Sequence, residues 1–81
     1  MSNARWILVA ESDGARGANG KKKAYEITLD GNKVKFAWGM AEVERRQTTT
    51  LRFFSTRGAE MAAREKLYSK LGNGYSLVYQ A

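Results

Sequence analysis

The stretch AYEITLDGNKVKFAWG, residues 24–39, decides the fold. Tyr25, Ile27 and Leu29 alternate with Glu26 and Thr28, the period-2 pattern of a strand with one buried face. Asp30-Gly31-Asn32 then offers residues that tolerate φ > 0, and Val34, Phe36 and Trp38 resume the alternation against Lys33 and Lys35. Two alternating runs around such a turn predict a β-hairpin, closed at its far end by Gly39.

Outward from the hairpin, RWILVAE (residues 5–11) is rich in strand-forming residues and apolar on both faces, which predicts a well-covered strand. Between them SDGARGANG (residues 12–20) reads as a loop. Its glycines at 14, 17 and 20 lack the GxGxxG spacing and precede a strand, so they do not predict a nucleotide cradle. MAEVERR (residues 40–46) reads as a charged connection, with a short helical turn as the alternative, and Gln47 to Phe54 reads as another strand with Thr49, Leu51 and Phe53 on one side. After Ser55, a predicted N-cap, the period changes: Ala59, Ala63, Leu67 and Leu71 recur at i+4, flanked by Ala62, Lys66 and Lys70. Glu60 and Arg64 are spaced for an i,i+4 pair, and Gly72-Asn73-Gly74 stops the helix. Tyr75, Leu77 and Tyr79 then alternate with Ser76, Val78 and Gln80 in a last strand, with the tyrosines expected to pack the sheet face beneath the helix.

Four strands, a helix and a strand predict an α+β fold: a mostly antiparallel sheet with one helix near residues 56–71 on one face. The 81 residues hold one domain, expected over residues 5–81. Met1-Ser2-Asn3-Ala4 reads either as a flexible leader or, in Ser2-Asn3-Ala4, as the scar of a removed tag.

Lys and Arg number 14 against 8 Asp and Glu, a net charge of +6 that favours polyanionic partners. With no Cys and no His, disulfides, thiol nucleophiles, imidazole bases and most transition-metal sites are excluded. Glu42, Glu44, Asp13 and Asp30 lie in loops and turns with no neighbour to raise a pKa, so we expect no enzymatic activity and no cofactor. The longest apolar run, Trp6 to Ala10, is far short of the roughly 20 residues that span a bilayer, so the expectation is a soluble, cytoplasmic protein with no membrane partner.

Lys21, Lys22, Lys23, Lys33, Lys35, Arg45, Arg46 and Arg52 all fall in the hairpin and its flanks, whereas the helix carries mixed charge, which predicts a one-sided polyanion footprint. Trp38 has two readings: a core residue in line with Phe36 and Val34, or an indole at a strand end that stacks on a sugar or base while Gly39 lets a backbone approach.

Residues 21–39, KKKAYEITLDGNKVKFAWG, resemble the WGR domain family, found in DNA-damage-activated poly(ADP-ribose) polymerases and in small bacterial proteins. Tyr25-Glu26-Ile27 precedes the hairpin, Trp38-Gly39 closes its second strand, and Gln47 opens the next. The stretch from Ser55 through Ala59 and Lys66-Leu67 to Gly74-Tyr75 resembles the family's helix and following aromatic, so the resemblance spans nearly all of residues 5–79. It implies a non-catalytic DNA-binding module, often for strand breaks, in which Trp38 packs on a sugar or base near a terminus. By the same resemblance Lys22 takes the place of a polar DNA contact, and Gln47 is structural. Met40 stands where the signature has arginine, leaving Arg45 or Arg46 to supply that charge; Gly58 stands where relatives carry an acidic residue, implying a weaker helix start. DNA is thus the first expected partner, RNA the second, and the alternative is an adaptor that docks an acidic protein surface.

Overall fold

A computed structural model describes residues 3–11, 22–40 and 46–81. Among these residues five strands and a helix follow in the order β1 (Asn3–Glu11), β2 (Lys22–Asp30), β3 (Lys33–Met40), β4 (Gln47–Arg52), α1 (Thr56–Gly72) and β5 (Ser76–Gln80). The strands form one antiparallel sheet in the order β4-β3-β2-β1-β5, an α+β fold as expected. β1 begins at Asn3, inside the stretch read as a leader: Asn3 is in register with Asp30 and Ala4 with Leu29, and Ala4 packs against the core.

The hairpin forms at the expected turn, with Gly31 at φ +61°, a value that favours glycine. The Asn32 carbonyl accepts from Phe53 N–H at 2.8 Å, and Asn32 Nδ2 donates to the Phe53 carbonyl at 3.0 Å, so the turn is clipped to the chain leaving β4. Because β2 and β3 pair Tyr25 with Trp38, Ile27 with Phe36 and Leu29 with Val34, the apolar residues of both strands share one face. Trp6 and Leu8 of β1 lie opposite Ile27 and Tyr25 and extend that face.

Helix α1 covers this face and buries Ala59, Ala63 and Leu67. Leu71, expected in the same stripe, is 40% exposed. Each i+4 step advances about 40° around the helix, so a fourth member lies about 120° from the first and turns out of contact. Ser55 caps the helix, its Oγ accepting from Gly58 N–H at 3.0 Å, and Glu60 and Arg64 pair at 3.6 Å. No acidic residue stands in the first turn. A Cβ on Gly58 would meet Ser55 Oγ at 3.4 Å and Phe53 Cδ2 at 3.6 Å, ordinary contacts. Gly58→Ala should therefore stabilise the protein by about 0.5–1 kcal/mol through helix propensity and a less disordered unfolded chain, seen as a higher denaturant midpoint at unchanged slope.

The last strand departs from simple alternation. Leu8 is opposite Leu77 and Ile7 opposite Tyr79, a register shift that skips Val78. A bulge of this kind moves every later side chain to the other face, so Tyr79 lies on the face away from the helix while Leu77 stays on the helix side. Of the two tyrosines expected beneath the helix, only Tyr75 packs there.

Candidate functional site

The register that pairs Tyr25 with Trp38 also brings their rings together, with centroids 6.1 Å apart and planes 16° from parallel. Tyr75 meets Tyr25 edge-on at 6.2 Å and 74°. Its position follows from the end of the helix: the Lys70 carbonyl accepts from both Asn73 N–H at 3.0 Å and Tyr75 N–H at 3.1 Å, and Gly74 takes φ +94° to turn the chain back toward the sheet. The three rings form the wall of a groove of about 570 Å³, within the ordinary range of ligand clefts. Trp38 is half-buried: it packs against the core, as the first sequence reading has it, and presents part of its indole to the groove.

Cations line the same groove. Lys70 Nζ lies 4.5 Å from the centre of the Tyr25 ring and 5.5 Å from that of Tyr75. One turn earlier, Lys66 Nζ sits 5.4 Å over the Phe36 ring, and Lys23 flanks the groove from β2. Gly39 and Met40 complete the lining, which contains no carboxylate among the described residues. Burial, and then the like charges of Lys66 and Lys23, hold the Lys70 ammonium below the usual lysine pKa; burial, and then Tyr75, raise that of the Tyr25 phenol. Positive charge without an acidic neighbour among the described lining residues, set beside flat aromatic surface, can hold an anionic group and stack a planar one.

The expected basic footprint divides between two faces. Lys23, Trp38 and Gly39 line the groove. Lys22 lies on the opposite face, beside Val9 and Ser76. Lys33 and Lys35 alternate with Val34 and Phe36, so they too point away from the helix, as does Arg52, the register partner of Lys33. Arg46 also turns to that face: its Nη1 donates to Glu26 Oε2 at 3.0 Å, and its Cγ passes where a Cβ on Gly39 would sit, 3.3 Å away. Arg46 is thus paired on the face opposite the groove, whose lining includes Met40. Arg5 binds the other oxygen of Glu26, leaving one carboxylate between two guanidiniums. Lys21 and Arg45 lie outside the described residues.

Tyr25, Met40, Lys66, Lys70 and Tyr75 are the groove residues absent from the sequence-based set. A signal for the lysines exists: Ala59, Ala63, Lys66 and Lys70 recur at intervals of four, three and four, the spacing of a single helix face. Lysines on the edge of the buried stripe must reach over the sheet.

Among the described residues no group of three or more metal-ligating side chains gathers, and no helix is long and apolar enough to cross a membrane. No family model, no curated protein and no solved structure matches the chain.

Proposed function

We propose that the protein is a non-catalytic nucleic-acid-binding module of the WGR type, with DNA as its preferred partner and the groove between α1 and the β2–β3 hairpin as its site. The observation that carries this reading is the meeting of three lysines, Lys23, Lys66 and Lys70, with the rings of Tyr25, Trp38 and Tyr75 in one cleft without a carboxylate among the described lining residues. Lysines hold phosphates, and an accessible indole edge stacks on a base or sugar. Such a site favours a chain end or an unpaired stretch, because a base enclosed in a duplex offers no free face.

The test is a titration of the protein with blunt duplex, nicked duplex, closed circular duplex, single-stranded DNA and RNA at several salt concentrations. Affinity should fall linearly in log-log form as salt rises, by roughly one unit of slope per phosphate contacted, and should be higher for DNA with ends than for the closed circle. Binding that is indifferent to salt and confined to one acidic protein would establish the adaptor alternative.

A further inference from the structure

We propose that the sheet face turned away from the helix is a second nucleic-acid surface, in which Lys33, Lys35 and Arg52, with Thr48 and Thr50, hold the phosphate backbone. It uses no side chain of the groove, so it stands or falls separately.

Three observations carry it. First, β3 and β4, KVKFAWGM and QTTTLR, contain no carboxylate, and on the face away from the helix they present Lys33, Lys35, Thr48, Thr50 and Arg52. Of the carboxylates of neighbouring β2, Glu26 is held by Arg5 and Arg46, and Asp30, at the turn end of the strand, stands between Asn3 and Lys33 and leaves Lys35 and Arg52 without an acidic register partner. Lys35 lies between Thr28 and Thr50, and both Lys35 and Arg52 are exposed. Second, Lys33 and Arg52 stand directly opposite each other, and like charges in that relation destabilise a sheet. An anion laid across the pair relieves this repulsion.

Third, the spacing and chemistry select a phosphate backbone over other anionic surfaces. Lys33 and Lys35 are two residues apart on a strand, about 6.8 Å, so their ammonium groups can reach neighbouring phosphates of one nucleic-acid strand. The hydroxyls of Thr50, opposite Lys35, and Thr48, opposite Ala37, are ordinary phosphate donors. Apart from Ala37, these two strands offer no apolar side chain on this face to insert into a lipid surface or form the dry centre of a protein interface.

The experiment uses closed circular duplex DNA, which has no ends for the groove, with the parent protein, a Lys33→Ala/Lys35→Ala/Arg52→Ala variant and a Lys33→Arg/Lys35→Arg variant. Thermal melting is measured for each. The triple alanine variant should remain folded, lose affinity for the circle and lower its salt slope by up to about 3. The arginine variant should bind as the parent does. Trp38→Ala should leave binding to the circle in place. An unchanged affinity and slope in the triple variant overturn the proposal, as does a parent that binds phosphatidylserine vesicles but not the circle. Loss of end preference in Trp38→Ala, with a triple variant that behaves as the parent, would remove this face and leave the groove reading intact.

Discussion

Ile27→Ala should destabilise the protein by about 2–5 kcal/mol, since Ile27 is fully buried at the centre of the sheet beneath α1. In a domain of this size each kcal/mol shifts the melting temperature by about 4–8 °C, so the variant should melt at least about 8 °C lower. Leu67→Ala, on the helix side of the same contact, should fall in a similar range but toward its lower end, because Leu67 retains 7% exposure. A calorimetric scan of both variants checks the packing. If Leu67→Ala melted with the parent, the helix would not be seated where the structure places it.

The second large effect concerns binding. Trp38→Ala should weaken affinity for DNA with ends by about 5- to 150-fold, the equivalent of roughly 1–3 kcal/mol of lost stacking. Since Trp38 also packs on Tyr25, the melting temperature must be followed alongside. Lys23→Ala/Lys66→Ala/Lys70→Ala should reduce the salt slope by up to about 3. The depressed pKa of Lys70 adds a pH signature. Its protonated form is the one that holds phosphate, so as pH rises toward the lysine range its charge is lost before that of an ordinary lysine, and affinity should fall with it. Lys70→Arg should shift that fall to higher pH. Fluorescence titrations with one labelled duplex read all of these changes.

The hairpin was legible because both of its determinants are local: alternation over residues 25–29 and 34–38, and a turn at Gly31. The Ser55 cap was legible for the same reason. The bulge at Val78 was not, because it is a matter of pairing with β1 and leaves no mark on the alternation of β5 itself. The groove was half legible. Lys23, Trp38 and Gly39 stand out, but the other two cations, Lys66 and Lys70, come from α1, whose placement over β2 and β3 is a tertiary fact. The one-sided basic footprint had a remedy in the pattern itself: lysines that alternate with Val34 and Phe36 belong to the opposite face from Trp38.

Two of the three residues on which α1 rests, Ala59 and Ala63, are alanines with no measurable exposure. They act as thin spacers, and the thickness of the molecule at this point is set by a methyl group. Lys66 and Lys70 ride on the same rigid rod, so their height above the aromatic wall is gauged by those methyls. A bulkier side chain at Ala63 has no free volume to occupy and would jack the rod away from the sheet, carrying both ammonium groups with it. Two methyl groups outside the groove thus set its aperture, and a lineage could widen or narrow it by changing the shim while leaving every lining side chain as it is.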